Sequence, residues 1–390
     1  MGRDDFVYSG VTKESKILEF APYFRPIYPK KKGYITDIVD VVSKEELIEK
    51  AQNDPMIKTW DEIEDVDYIA TNNYADIIGK HNYYDVIAAS HVIEHTTDII
   101  SFLRDCSLLL NDNGVVRLII PDKRYDFDCF RECTTTRVAL DAYLERTNKD
   151  KHSIGTVVEG KLRSVFQNSQ SSTYIPNSSF FYMSDDLVLK NSNTPSKFRL
   201  ITEYLDSYNE DNRYVNAHAW VVTPKSFEIM IYELNVLGYI DLTIDSLYSN
   251  PRSIEFYVDL RKGEREVDDP KRRFQLYIDR KKETLEEYED YLTIQKIYDI
   301  IIDHKDIYIY GTGKGTKRIL RILDYLNTDY KAHIVSDGKR KESFFNGHPV
   351  LEFSEVGSNS ELIILIGVEN EIYRSEIIAE IKKRGMKSFF

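Results

Sequence analysis

Four side chains able to move a proton or hold a metal fall within six residues of one another. Ser90, His91, Glu94 and His95 follow the apolar run Val86-Ile87-Ala88-Ala89. A run of this kind that ends in polar residues predicts a buried strand of an α/β sheet, and such sheets bind ligands beyond the carboxyl ends of their strands. An imidazole or a carboxylate placed there can accept a proton near neutral pH. Two more candidates stand in similar positions: Asp122 follows the apolar run Val115 to Ile120, and His218 precedes Ala219-Trp220-Val221-Val222. His95, His218 and Asp122 are therefore the expected catalytic bases. Lys123 and Arg124, next in the chain, carry the charge needed to grip a phosphate or carboxylate of a substrate.

The elements that must position these groups alternate. Lys16 to Phe20 and Tyr34 to Val39 read as strands, Ser43 to Gln52 as a helix, and Asp65 to Ile69, Asp85 to Ala89 and Val115 to Ile120 as three more strands. Between the last two, Thr96 or Thr97 is expected to cap a helix carrying Ile99, Ile100, Leu103, Leu108 and Leu109, with Gly114 as its breaker. From Tyr125 to about 212 the rhythm gives way to polar sequence, such as Gln167-Asn168-Ser169-Gln170, which reads as an insertion over the site. A strand around Trp220, a helix over Pro224 to Leu237 and an alternating strand over Ile254 to Leu260 then complete a first domain, 1–261. A charged helical connector is expected over 262–304, with Leu285, Tyr288 and Leu292 on one face, a stripe that could also serve as a homodimer seam. A second, smaller α/β domain occupies 305–390.

Composition excludes several functional classes. At 390 residues, with 42% hydrophobic and 30% charged residues, the chain has the profile of a globular two-domain protein. A formal charge of −13 argues against nucleic-acid binding, which needs a basic surface to displace counterions. No apolar run of about 18 residues offers a membrane span, and the first residues, Met-Gly-Arg-Asp-Asp, show no apolar leader. Three cysteines do not make a disulfide scaffold, and a reducing cytoplasm fits.

A nucleotide-type cofactor asks three things of such a sheet: a tight turn after the first strand, an acid after the second for ribose hydroxyls, and a shaped floor after the third and fourth. Glu19 and the loop Ala21-Pro22-Tyr23 occupy the first place, and Asp40, 21 residues beyond Glu19, the second. Asp67 and Tyr68, then Ser90 and His91, occupy the third. On Ile17-Leu18-Glu19-Phe20-Ala21-Pro22, Ile38-Val39-Asp40, Ala89 to His95, Asn113-Gly114-Val115, Pro121 to Asp128 and His218-Ala219-Trp220, the chain resembles the class I S-adenosylmethionine-dependent methyltransferases. More narrowly it is similar to a bacterial group associated with surface-polysaccharide gene sets, and the likeness covers roughly residues 10 to 260.

The resemblance implies a Rossmann-like methyltransferase sheet in which Glu19 and its loop face the methionine part of S-adenosylmethionine, Asp40 holds the ribose and Asp67 lies near the adenine. It further implies a sugar-nucleotide or glycan acceptor, with hydroxyl methylation favoured. One departure stands out: the family's first loop is rich in glycine, and here Ala21, Pro22 and Tyr23 replace the small residues that let a cofactor approach the backbone. A non-catalytic cofactor-binding protein is the reading this departure favours.

A different rival rests on His91-Val92-Ile93-Glu94-His95, which fits the H-x-x-E-H pattern of zinc hydrolases. That chemistry needs both histidines one turn apart on a continuous helix, whereas a strand runs to Ser90 and the expected caps follow His95. No metal site is expected. Cys129 and Cys133 lack a second pair at ligand spacing and read as ordinary thiols.

In the second domain, Gly311, Gly313 and Gly315 lie between a strand, Ile307 to Tyr310, and a helix, Thr316 to Leu326, where backbone N–H groups can meet an anion. A nicotinamide cofactor there would make the chain an oxidoreductase. The stretch also looks like the small Rossmann-like domains appended to sugar-modifying enzymes, which implies a nucleotide-sugar contact with Asp337 facing a ribose.

Overall fold

The computed structural model describes residues 1–54, 57, 60–145, 151–163, 205, 216–250, 253–301, 306–325, 328–357, 362–368 and 370–389. The polar tracts beginning at Gln167 and Lys190 lie outside the described residues. The chain divides into two compact units, Met1–Thr284 and Leu285–Phe390, so the first closes later than the expected boundary near Arg261.

In the first unit, seven strands form one sheet: β1 (Lys16–Phe20), β2 (Ile35–Asp40), β3 (Tyr68–Ile69), β4 (Tyr84–Ser90), β5 (Leu110–Pro121), β6 (Leu242–Ser249) and β7 (Glu255–Lys262). Their order is β3-β2-β1-β4-β5-β7-β6. The first five are parallel, while β7 runs antiparallel to both β5 and β6. This is the Rossmann-like sheet with an antiparallel end that the resemblance to class I methyltransferases implies. Register aligns Phe20 with Val39 and with Ala89, so the carboxyl ends of β1, β2 and β4 open on the same edge of the sheet.

The helices form for local reasons that can be named. Helix α1 (Arg3–Val7) opens the chain and buries Phe6 and Val7. Ser43 caps α2 (Lys44–Gln52) by accepting from the Glu46 N–H, and the Glu46 carboxylate accepts from the Ser43 N–H in return. Next comes the short α3 (Tyr74–Ile78). Helix α4 (Ile99–Leu109) is capped by Asp98, not by Thr96 or Thr97, because both threonines are turned inward: the Thr96 hydroxyl donates to Ile93 O, and Thr97 is buried. Nor does Gly114 end that helix. The chain turns extended at Leu110, and Gly114 lies inside β5, where a Cβ would come within 2.8 Å of the Tyr84 carbonyl oxygen. Within the expected insertion, α5 (Thr136–Leu144) and α6 (Ile154–Arg163) are helical. Residues 216–223 are irregular where a strand is expected, and α7 (Pro224–Leu237) follows at the expected bounds, capped by Thr223. Strand β6 has no counterpart in the sequence reading, because its residues are mostly only half-buried and their pattern is weak.

Between β5 and β7 lies a buried ion pair. Arg117 Nε and Nη2 donate to the two carboxylate oxygens of Asp259, each at 2.9 Å. Its Nη1 donates to the carbonyls of Val7 and Ser9, so one guanidinium fastens both the antiparallel strand and the amino-terminal segment.

Helix α8 (Pro270–Ile301), 32 residues long, lies within the expected helical connector, 262–304, and spans the boundary between the units; the side chains of the expected stripe Leu285, Tyr288 and Leu292 lie outside what is described. In the second unit, β8 (Ile307–Tyr310), β9 (Ala332–Val335), β10 (Phe344–Phe345), β11 (His348–Glu352), β12 (Ile363–Ile366) and β13 (Lys387–Phe389) are ordered β10-β11-β9-β8-β12-β13. All neighbours are parallel except β10 and β11. Helices α9 (Lys314–Tyr325) and α10 (Glu371–Lys383) complete a second, smaller Rossmann-like unit. Among the described residues no helix is long and apolar enough to cross a membrane.

Removing one partner of the Arg117–Asp259 pair leaves a charge buried without compensation. Asp259→Ala is expected to cost about 3–5 kcal/mol of unfolding free energy, and the double variant Arg117→Met/Asp259→Leu much less. Denaturant melts of the two variants test this, and equal losses would contradict it.

Candidate active site

The loop after β1 is drawn tight by the strand's own carboxylate. Glu19, 2% exposed, accepts from the backbone N–H groups of Ile27 at 2.6 Å and Tyr28 at 3.0 Å. Burial pushes its carboxyl up to about 7, against the lowering effect of those two bonds. Within the loop, Ala21 (φ 43°) and Tyr23 (φ 50°) take the left-handed conformation that glycine adopts most readily. The backbone thus makes the turn of a glycine-rich loop without glycine. The buried hydroxyl of Tyr23 has no hydrogen-bond partner among the described residues.

Asp40 closes β2 and is 5% exposed. Its Oδ1 accepts from the Val41 N–H at 2.7 Å, and burial raises its carboxyl. Glu19 and Asp40 therefore stand near the carboxyl ends of adjacent strands, as expected. Asp67 does not. It precedes the short β3, level with Ile38 and short of the strand's carboxyl end, and its Oδ2 accepts from the Ile38 N–H and from Lys30 Nζ. Tyr68 starts β3 and lies in cation–π range of Lys80.

At the end of β4 the chain reverses through His91, whose φ of 53° is again left-handed. Ser90 Oγ accepts from Arg3 Nη2 at 2.8 Å, and Arg3 Nη1 donates to Glu255 at 2.6 Å. His91 Nε2 lies 2.9 Å from the same Glu255 oxygen. Ile93–His95 form a single 3-10 turn, with His91 before it and α4 beginning only at Ile99. His91 and His95 are therefore not two residues of one α-helix, and His91 is already bonded to Glu255. The H-x-x-E-H zinc arrangement is not formed.

Instead, His95 meets His218. Their ring centroids are 4.5 Å apart and nearly perpendicular. Segment 216–222 is pinned there by one backbone and one side-chain bond: the Ala219 N–H donates to Glu94 O at 2.7 Å, and the Trp220 indole Nε1 donates to Thr96 O at 2.7 Å. His218 Nδ1 bonds Asp128 Oδ2 at 2.6 Å, and Asp128 Oδ1 accepts from Arg131 Nη1 at 3.0 Å. Asp126 lies beside them and accepts from the Asp128 N–H at 2.7 Å. Glu94 is wholly buried, its two carboxylate oxygens have no hydrogen-bond partner among the described residues, and its Oε1 is 3.7 Å from His95 Nε2.

These surroundings set the charges. Burial, then the neighbouring His218, His152 and His91, hold the His95 imidazole well below its ordinary value, so it is neutral at pH 7. Burial also disfavours the charged form of His218, but the bond and charge of Asp128 outweigh it and raise the ring. Asp128 is held low against its own burial by His218 and Arg131. Burial pushes the carboxyls of Glu94 and Asp126 up. The result is a neutral imidazole edge-on to a carboxylate-supported one, which can accept and pass a proton.

Three expected site residues are otherwise engaged. Asp122 Oδ1 and Oδ2 accept from Arg124 Nε and Nη2 at 2.9 and 2.6 Å, so Asp122 has no free carboxylate to act as a base. Arg124 also lies 3.6 Å from Glu283, and Lys123 donates to Cys129 O at 3.3 Å. Both cations are structural, since buried charges are satisfied by the nearest anions and carbonyls. Conversely, Asp126, Asp128 and Arg131 belong to the site without having been assigned a role from sequence. The alternation of Asp126 and Asp128 just after β5 was the available signal.

In the second unit, Gly311 (φ 115°) and Gly367 serve close packing: a Cβ would meet Thr316 Oγ1 at 3.0 Å on Gly311 and at 2.6 Å on Gly367. Gly313 has open space around it, and Gly315 lies in the first turn of α9. Asp337 follows β9, is exposed, and accepts from the Ser354 N–H at 2.8 Å.

No family model and no curated protein matches the chain. Among solved structures, a methyltransferase from Methanosarcina mazei aligns at 12% identity over 67% of this chain and 97% of that one, with a TM-score of 0.32. A methyltransferase from Mesorhizobium loti aligns at 9% over 67% and 99%, with a TM-score of 0.31. The mitomycin 7-O-methyltransferase MmcR aligns at 9% over 67% of this chain and 53% of its own length, with a TM-score of 0.30. Likeness of this extent assigns the chain to no family.

The raised carboxyl of Glu19 makes a stability prediction. Its folded value of about 7 lies above the ordinary 4.5, so the folded chain holds this proton more tightly than the unfolded chain. The associated stability is complete below about pH 4.5 and is lost as pH rises through about 7. Thermal melts across that window are expected to fall more steeply for the wild type than for Glu19→Gln, and parallel curves would refute the assignment.

Proposed function

We propose that the first unit is an S-adenosylmethionine-dependent methyltransferase that methylates a hydroxyl of a sugar-nucleotide or glycan acceptor. The observation that carries this reading is the strand order β3-β2-β1-β4-β5-β7-β6 with Glu19 and Asp40 near the carboxyl ends of adjacent strands. The loop supports a cofactor as well: its left-handed turns at Ala21 and Tyr23 supply the tight bend, and the unpartnered Tyr23 hydroxyl is a donor for a polar ligand atom. In this reading Asp40 holds the ribose, Glu19 fixes the loop against the methionine moiety, and Tyr68, Ser90 and His91 line the remainder. Bound S-adenosylmethionine would supply an electrophilic methyl group. The protein must then orient the acceptor in line with it and keep water out.

Proton removal falls to His95, which is neutral at pH 7 and faces His218. Asp128 keeps His218 oriented through Nδ1, making it the positioning partner in the pair. A sugar acceptor and surface-polysaccharide synthesis follow from the family resemblance, a cytoplasmic setting from the cysteine content and homodimer formation from the stripe Leu285, Tyr288 and Leu292. A nucleotide-sugar contact by Gly311, Gly313, Gly315 and Asp337 rests on the likeness of 305–390 to small Rossmann-like domains of sugar-modifying enzymes. The alternative, a cofactor-binding protein without catalysis, predicts binding without turnover.

Calorimetric titration of the purified chain with S-adenosylmethionine and its demethylated product tests the reading without knowledge of the acceptor. About one equivalent is expected to bind, and Asp40→Ala is expected to weaken binding by about 1–3 kcal/mol through lost charged hydrogen bonds. Failure of both ligands to bind would overturn the proposal. Once an acceptor is found among nucleotide sugars, His95→Ala is expected to lower turnover by about 10²–10⁴-fold while leaving cofactor affinity nearly intact. Equal losses of both would assign His95 a structural role.

A further inference from the structure

Beside the proposed proton-transfer pair sits a carboxylate with no evident task. Glu94 is wholly buried and neither oxygen accepts a hydrogen bond among the described residues, although His91 Nδ1, on a ring already bonded to Glu255 through Nε2, lies 3.6 Å from its Oε1. Burying a carboxylate in this way is costly unless something of opposite charge meets it. Its neighbours are nitrogen ligands: one atom each from Glu94, His95 and His218 lie within 4.8 Å of one another. We propose that Glu94, His95 and His218 together form a binding site for a first-row divalent transition-metal ion.

The donor set has the expected chemistry. Two imidazoles and one carboxylate suit zinc, iron, cobalt or manganese, whereas magnesium and calcium prefer all-oxygen surroundings. The separation of His95 Nε2 from Glu94 Oε1, 3.7 Å, is close to the edge of a tetrahedron of ligands about 2.0–2.2 Å from zinc. His218 shows the support that metal-bound histidines require. Its Nδ1 is bonded to Asp128 at 2.6 Å, which leaves Nε2 as the nitrogen with a lone pair to offer, and Arg131 in turn steadies Asp128. The alternative grouping of Asp126, Asp128 and His218 is weaker, because Asp128 and His218 already bond each other. Access exists as well, since the His95 side chain is 27% exposed while Glu94 lies behind it at 0%.

This site differs from the H-x-x-E-H arrangement. His91 is not a ligand, Glu94 is a ligand instead of a base, and the third ligand comes from a segment more than a hundred residues downstream. Three protein ligands leave coordination positions for water or an acceptor oxygen. The inference stands on the ligand set and holds whether or not the chain transfers methyl groups; an ion held by His95 Nε2 would take up the lone pair that proton removal needs, so with metal bound His95 is a ligand and not the base.

The test uses the full-length chain, stripped of metal and then incubated with Zn²⁺, Co²⁺ or Mg²⁺ before gel filtration and elemental analysis. About one equivalent of Zn²⁺ or Co²⁺ is expected to remain bound, and Mg²⁺ is not. X-ray absorption at the zinc edge of the wild-type protein is expected to show nitrogen and oxygen neighbours with imidazole scattering. Glu94→Gln and His218→Ala are expected to abolish retention, and Asp128→Asn, which removes the carboxylate behind His218 without removing a ligand, to loosen it about 10- to 100-fold. Circular dichroism melts identify which variants remain folded. No retention by the wild type, sulfur neighbours from Cys129 or Cys133, or undiminished retention in folded variants would each overturn the proposal. Because the wild-type spectrum alone can decide, misfolding of the variants does not protect the idea, and titration with S-adenosylmethionine reports separately on methyl-transfer chemistry.

Discussion

The hydrogen bonds from Ala219 and Trp220 to the turn after β4 are the constraint on which the candidate site depends. A parallel strand can present polar groups at its end, but it cannot by itself surround them. Here a segment from far along the chain lays its backbone against Glu94 O and the Trp220 indole against Thr96 O, and so brings His218 to His95. The indole of Trp220 is buried in the core while its N–H is satisfied by Thr96, so packing and polar satisfaction are met by one side chain. Without that clamp, Asp128 would have no imidazole to hold.

Burial then decides what the ionisable groups can do. The same desolvation that keeps His95 neutral raises the carboxyls of Glu94 and Asp126, while His218 and Arg131, both facing Asp128, hold its carboxyl low. Side chains of similar intrinsic acidity are thereby separated into distinct states within a few ångströms. Around them, Asp122, Lys123 and Arg124 spend their charges on one another and on nearby groups, which gives the loop after β5 a fixed shape.

Much of this architecture was legible in the sequence, because a parallel sheet buried on both faces writes its strands as continuous apolar runs. The strands β1, β4 and β8 and helix α7 lie within a residue or so of their expected bounds. Glu19 and Asp40 were legible as well, since the ends of β1 and β2 are fixed by register. What sequence could not convey was which charges neutralise each other. The motif Pro121 to Asp128 offers five acids and bases within eight residues, and only the fold shows that Asp122 faces Arg124 whereas Asp128 faces a histidine 90 residues on. Likewise the left-handed backbone of His91, Ala21 and Tyr23 defies the usual preference for glycine, so these turns left no sign in the sequence. Strand β3 is two residues long and starts later than the expected run from Asp65 to Ile69, which leaves Asp67 before it.

The antiparallel insertion of β7 between β5 and β6 has a consequence for the birth of the protein. During synthesis β5 emerges well over a hundred residues before its partner, so one edge of the nascent sheet, with Arg117 on it, must wait for Asp259 to leave the ribosome. Contacts of such long sequence separation form slowly. An unpaired, largely apolar edge strand is in the meantime a template for wrong pairing with other chains. The segment that delivers His218 also becomes available late, so the site is assembled near the end of the first unit's synthesis. Chaperone demand and the yield of recombinant protein should accordingly be governed by this interval more than by the final stability of the folded sheet.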